Sequence, residues 1–243
     1  KNKKSKAKII AKQNGIVAGL DFCKTAFKII GKETIFKNKV VDGSKIKKNK
    51  VIAEIEAKTK TILIAERTAL NFLSHASGIA SLTNRFVKKV NKKTKICCTR
   101  KTTPNLRLLE KYAVKKGGGY NHRYNLSDEI LIKDNHIKAE NNLYHLVKKA
   151  IQSKKIITVE IENLKQLKQV QNLKFKRILF DNMDTKKLKK CLKICKKKFE
   201  TEYSGNANLK NIRQISKTGI NRISVGVITH GANSFDVSLD LSS

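Results

Sequence analysis

From Lys95 onward the chain alternates short strand-like runs with amphipathic helical runs, and this alternation restricts the fold more than any other feature. The strand-like runs are 95–99 (KICCT), 129–133 (EILIK), 156–161 (IITVEI), 177–180 (RILF), roughly 199–203 and 222–226 (RISVG). Helical stretches stand between most of them. Leu164, Leu167 and Val170 recur at helical spacing within 163–173, and Leu209, Ile212 and Ile215 do so within 208–218, ahead of Gly219. Within 186–198, Leu188, Cys191, Leu192 and Cys195 share one helix face while lysines coat the other. Such alternation predicts parallel strands, because a parallel neighbour is reached only through a crossover long enough to hold a helix. Six strands are too few for a closed eightfold barrel, and no GxGxxG fingerprint follows any of them. The expected architecture of this part is an irregular, incomplete α/β barrel.

Ahead of the barrel, residues 1–68 read as a smaller α/β sandwich domain. An apolar-periodic stretch covers 9–27, and strand-like runs continue through Glu66. Asp42-Gly43 marks a turn, and Val51, Ala53, Ile55 and Ala57 alternate with Ile52, Glu54 and Glu56. Between Ala69 and Val90, the positions Leu70, Leu73, Ala76, Ala80, Thr83 and Val87 follow a 3.6-residue period, predicting one long helix that opens a barrel domain over 69–243. The last roughly 15 residues are expected to pack back on the first domain, since chain termini tend to lie close together.

Composition narrows the class. No apolar run approaches the roughly 20 residues of a membrane helix, and no signal-peptide core follows the basic start. Five cysteines, an odd number without CxxC spacing, suit reduced thiols and a cytoplasmic protein rather than a disulfide framework. Lys plus Arg number 54 against 19 Asp plus Glu, a net charge of +35 that attracts polyanions of any kind. Only eight of those cations are arginine, and the lysine-rich runs hold few aromatics. Specific nucleic-acid reading, which rests on Arg forks and base stacking, is therefore the remote alternative.

The unusual residues gather where parallel α/β folds place their sites, at the carboxyl ends of strands. The first barrel strand leads into Thr99, Arg100 and Lys101, the second ends at Lys133, the third carries Glu160, and the fourth ends at Asp181. Ser204, Gly205 and Asn206 follow the fifth, and Gly226 follows the sixth, ahead of His230. Taken singly, each also suits a surface lysine, a loop-capping carboxylate or an ordinary turn. Jointly, Arg100, Lys101, Arg123 and Lys133, with His122 beside them, would repel one another unless a multiply charged anion filled their midst. Glu160 and Asp181 could hold sugar hydroxyls or, directly or through water, a Mg²⁺ that carries pyrophosphate. The Ser204–Asn206 loop and Gly226 suit a phosphate cradle.

These residues stand in segments that together resemble the quinolinate phosphoribosyltransferase family, the type II phosphoribosyltransferases: 65–86 (AERTALNFLSHASGIASLTNRF), 99–137, 159–167, 179–183, 203–212 and 223–240. The resemblance implies a two-domain subunit, an α/β sandwich followed by the incomplete barrel, and a homodimer in which one subunit's first domain closes its partner's barrel. It implies conversion of quinolinate and phosphoribosyl pyrophosphate to nicotinate mononucleotide, pyrophosphate and CO₂, with Mg²⁺. By it, Arg100, His122, Arg123 and Lys133, with Thr99, form the quinolinate pocket, and Arg67 reaches in from the partner. Lys101 faces pyrophosphate, and Glu160 and Asp181 take the ribose hydroxyls and metal. Ser204, Gly205, Asn206, Gly226 and His230 take the 5′-phosphate. Relatives on this fold with another substrate, of the nicotinate type or molybdenum-associated, are the alternative. Asn105 stands where the family usually has Gly, and Gly231 where it commonly has Ser. Family members carry a further segment ahead of the position of Lys1, so the first domain is expected to be truncated at its start.

Overall fold

A computed structural model describes residues 3–195 and 198–242; Lys196 and Lys197 of the lysine-rich run lie outside the described residues. In chain order the elements are β1 (Lys4–Ala11), β2 (Gly15–Ile16), α1 (Leu20–Ile30), β3 (Ile35–Asn38), β4 (Lys45–Ile46), β5 (Val51–Lys58), α2 (Thr59–Val87), β6 (Lys95–Cys97) and α3 (Arg107–Lys116). There follow β7 (Ile130–Ile132), α4 (Asp134–Glu140), α5 (Leu143–Ile151), β8 (Ile157–Ile161), α6 (Leu164–Val170), β9 (Arg177–Asp181) and α7 (Thr185–Cys195). The chain ends with β10 (Glu200–Ser204), α8 (Ile212–Ser216), β11 (Arg222–Ser224), α9 (Val227–His230) and β12 (Val237–Ser242). Two compact units result: Lys1–Arg85 with Lys101–Gly119 and Val227–Ser243, and Phe86–Arg100 with Tyr120–Gly226. No helix among the described residues is long and apolar enough to cross a membrane.

The first unit holds an antiparallel sheet in the order β12-β1-β5-β3. Period-two patterning builds it: Ser5, Ala7, Ile9 and Ala11 of β1 are buried between exposed lysines, and Ile9 and Ala7 stand opposite Ala53 and Ile55 of β5. Leu20, Cys23 and Phe27 of α1 and Ile62, Ala65, Ala69, Leu70 and Leu73 of α2 close over the same core. The Asp42-Gly43 turn forms, with Gly43 at φ +97°. Its carboxylate also caps α1, accepting the Gly19 and Leu20 N–H groups at 3.0 and 3.2 Å, and it accepts the Tyr112 hydroxyl at 2.6 Å.

Two expectations are corrected here. The 9–27 stretch divides into β1, β2 and α1. The long helix begins at Thr59, and the strand-like reading through Glu66 fails because Ile62 and Ala65 already belong to the buried helical stripe while Leu63 and Ile64 are exposed. Because α2 is continuous and its apolar stripe is part of the first unit's core, one compact unit takes in Lys1–Arg85 together with Lys101–Gly119 and Val227–Ser243.

The second unit is a six-stranded sheet, all pairs parallel, in the order β6-β11-β10-β9-β8-β7. Taken in chain order, each strand lies beside its successor around a ring from β7 to β11 and back to β6, the circular order of an α/β barrel. The ring is open between β6 and β7, where an isolated parallel bridge joins Tyr120 to Cys97 on the edge of β6. Helix α7 turns Leu188, Cys191 and Cys195 inward and its lysines outward. All five cysteines are buried, and burial pushes the Cys23 thiol up to about 12, which suppresses thiolate chemistry there.

Candidate active site

Three neighbouring strands of the second unit bring Lys133, Glu160 and Asp181 within electrostatic reach of one another. Ile132 stands opposite Val159, which places Lys133 and Glu160 next along β7 and β8, and Asp181 is the last residue of β9, opposite Ser204 of β10. Burial pushes the Glu160 carboxyl up to about 7, the charge of Asp181 adds to this, and Lys133 opposes it. Such a pair is short of positive charge. Among the described residues there is no cluster of three or more His, Cys, Asp or Glu side chains fit to hold a metal. Two half-buried carboxylates on neighbouring strands fit Mg²⁺, which is commonly held by one or two carboxylates and completes its shell with water and phosphate oxygens.

A second group forms on the segment that runs from Tyr120 to β7. The Arg123 guanidinium is pushed below its usual range by burial and by the charge of Arg100, and its Nη1 donates to the Glu129 carbonyl at 2.8 Å. A guanidinium group disfavoured by the charge of a neighbouring one is the electrostatic signature of an anion site. His122 joins through Nε2 to Oε1 of Glu202 in the middle of β10. Glu202 is 0% exposed, and its carboxyl lies at about 2: burial works against the charge, and His122, Arg222 and Ser224 outweigh it.

The cradle residues lie at the ends of the next strands. Ser204 closes β10, and its carbonyl accepts the Asn182 N–H at 2.9 Å. Gly205 sits at φ +103° with its ideal Cβ position only 2.1 Å from Asn182 Oδ1, so no side chain fits there. Asn206 follows at φ +49°. Thr99 and Gly226, both half-buried, follow β6 and β11.

Arg67, Lys101 and His230 belong to the first unit, and all three are exposed. Arg67 lines a cavity of about 610 Å³ with Asn71, His75, Leu106 and Asp236. The Lys101 carbonyl accepts the Thr229 hydroxyl at 2.7 Å. Two residues on, the Thr103 N–H donates to the buried Glu110 carboxylate at 3.2 Å, and Glu110 is also 2.9 Å from His75 Nε2. Asn105, where the family usually has Gly, adopts φ +63°, a left-handed conformation open chiefly to Gly and Asn.

Sequence reasoning missed the polar interior of the second unit. Arg177 is 5% exposed and bonds Glu200 at 2.9 Å, Glu129 at 3.1 Å and Thr158 at 3.0 Å. Arg222 bonds Glu202 at 3.2 Å, and the Ser224 hydroxyl donates to the same carboxylate. Alternate charged positions in RILFD, ETEYS and RIS were the available signal.

Comparison with known proteins agrees across the chain. The sequence model of the quinolinate phosphoribosyl transferase N-terminal domain matches residues 1–77, and that of the C-terminal domain matches 79–240. A probable carboxylating nicotinate-nucleotide pyrophosphorylase of Bacillus subtilis is 40% identical over 97% of this chain and 83% of its own. One of Methanocaldococcus jannaschii is 41% identical over 98% and 87%. The solved nicotinate-nucleotide pyrophosphorylase of Francisella tularensis superposes with a TM-score of 0.96 at 37% identity, covering 100% of this chain and 88% of its own. The chain belongs to the quinolinate phosphoribosyltransferase family.

Proposed function

We propose that this protein transfers the phosphoribosyl group of phosphoribosyl pyrophosphate to quinolinate, releasing pyrophosphate and CO₂ and forming nicotinate mononucleotide for NAD biosynthesis. The observation that carries the reading is the set Lys133, Glu160 and Asp181 on three adjacent strand ends of a parallel sheet. Arg100, Arg123, His122 and Lys133 bind the two pyridine carboxylates, with Thr99 at the pocket wall. Arg67 completes the pocket from the partner subunit of a homodimer. Ser204, Gly205, Asn206, Gly226 and His230 take the 5′-phosphate, and Lys101 the pyrophosphate.

The residues act by position and charge. As the bond from the ribose carbon to pyrophosphate lengthens, positive charge grows on the ribose, and Glu160 and Asp181 stabilise it while fixing the hydroxyls. The cations hold the pyridine nitrogen in line for attack. Once ribosylated, the ring is cationic and accepts the electron pair left when the carboxylate departs as CO₂; the carbon is then protonated. Mg²⁺ bound by Glu160 and Asp181, directly or through water, would neutralise pyrophosphate charge. The protein is proposed to work in the cytoplasm, where its buried thiols stay reduced.

The test is release of labelled CO₂ from carboxyl-labelled quinolinate. Release that requires both phosphoribosyl pyrophosphate and Mg²⁺ is expected. Turnover of nicotinate with none of quinolinate would overturn the substrate assignment.

A further inference from the structure

Glu202 lies wholly buried at the centre of β10, and each of its oxygens is engaged. Oε1 accepts from His122 Nε2 and Ser224 Oγ; Oε2 accepts from Arg222 Nε at 3.2 Å and lies 3.6 Å from Arg177 Nε. Arg177 and Arg222 are held in turn by Glu200, at 2.9 and 3.6 Å, and Arg177 also by Glu129. Cys97, beside Glu202, and Lys95, beside Glu200, are further titratable groups within electrostatic reach of this cluster. Four of the anchoring residues stand on β9, β10 and β11, whereas His122 stands on the irregular segment between β6 and β7. The carboxylate therefore ties a segment without regular structure to the rigid sheet.

From this geometry we infer that Glu202 is a positioning residue for the pyridine diacid: through His122 it fixes the His122–Arg123 pair in the substrate pocket. An ionised carboxylate can only accept, so Nε2 of His122 carries the hydrogen, and one tautomer and one ring plane are selected. An apolar side chain in place of Glu202 could not accept that N–H, and it would take a buried partner from Arg222 and Arg177 as well. Arg123 is the next residue along the chain, so movement of the His122 backbone displaces its guanidinium as well. The inference rests on the assignment of quinolinate to this pocket.

The test uses the protein and its variants Glu202→Gln, His122→Asn and their double. Loss of an orienting partner is expected to raise the quinolinate KM of Glu202→Gln on the order of 10- to 100-fold. The KM for phosphoribosyl pyrophosphate should stay within about two-fold, and Glu202→Gln should add little in the His122→Asn background, because coupled residues are not additive. Should Glu202→Gln fail to fold, Ser224→Ala removes one hydrogen bond to the same oxygen without burying an unpaired charge, and a smaller rise with the same split is expected. Equal effects on the two substrates, or full additivity in the double variant, would overturn the inference. A readout independent of turnover is the ¹⁵N spectrum of the imidazole nitrogens without substrate. Wild type should show a His122 ring fixed as the Nε2–H form, and the Glu202 or Ser224 variant should show it released. A ring unchanged in both variants refutes the positioning role. A fixed ring in a wild-type protein that releases no CO₂ from quinolinate refutes the substrate assignment and, with it, the role for the diacid.

Discussion

Replacing Glu160 with Gln tests the electrostatics of the carboxylate pair without substrate. In the folded protein the Glu160 carboxyl sits at about 7, against 4.5 for an ordinary glutamate. Between those values the folded state binds more protons than the unfolded one, so stability falls as pH rises through the interval. The contribution is complete below about pH 4.5 and lost above about pH 7. At about 1.4 kcal/mol per pH unit, reduced by about half because the carboxyl is only half-buried, the loss is about 1.5 kcal/mol. Gln cannot ionise and escapes it. For a chain of this size the difference amounts to about 3–6 °C in Tm. The assay is thermal unfolding of wild type and Glu160→Gln in a chelator from pH 4.5 to 8.5. The stability of Glu160→Gln relative to wild type should rise across the window by that amount, and Mg²⁺ with pyrophosphate should shrink the gap at pH 8 by stabilising only the ionised pair. A Tm difference that stays constant with pH would refute the argument.

Arg123→Ala should raise the quinolinate KM and lower kcat, since leaving a buried carboxylate unpaired costs about 2–5 kcal/mol; unchanged steady-state kinetics would remove Arg123 from the pocket. Arg177→Met should destabilise the fold by about 3–5 kcal/mol in urea titrations, because Glu129, Glu200 and Glu202 lose a shared partner; a loss under about 1 kcal/mol would mean the cluster relaxes or protonates freely. Gly205→Ala must displace Asn182, whose Oδ1 lies 2.1 Å from the added carbon, and adopt φ +103°. Its KM for phosphoribosyl pyrophosphate should rise more than that for quinolinate, and equal changes would detach the loop from the phosphate.

The interior of the second unit explains why the site tolerates so much charge. Barrel interiors are ordinarily filled by branched apolar side chains. Here Thr158, Arg177 and Glu200 stand in register across β8, β9 and β10, and Leu179, Glu202 and Arg222 follow one layer further along β9, β10 and β11. The carboxylates and guanidinium groups of these layers neutralise one another beneath the strand ends. Glu202 stays ionised despite complete burial because three donors surround it. Glu160, on the neighbouring β8, pairs with no guanidinium group in that network and sits near 7. The contrast between two strand carboxylates separates a residue satisfied by the protein from one suited to a ligand.

The same contrast accounts for what the sequence discloses. Strand ends were legible because Lys133, Glu160 and Asp181 interrupt apolar runs at the one place where parallel folds gather chemistry. The circular strand order needed only strand-helix alternation. Arg177, Glu200, Glu202 and Arg222 were hidden among 54 basic and 19 acidic residues, although their spacing by two places them on one face of the sheet. In most sheets such a face would be the solvated one; here helices cover the opposite face, and charge lies inside. Nor could sequence pair His122 with Glu202, for they are 80 residues apart and the contact depends on a segment without a period to read. The start of α2 was obscured by Leu63 and Ile64, apolar yet 59% and 53% exposed. Periodicity therefore recovers elements whose apolar side chains are all buried, and fails where the apolar residue faces out or the charged one faces in, which in this chain is where the proposed substrate pocket is anchored.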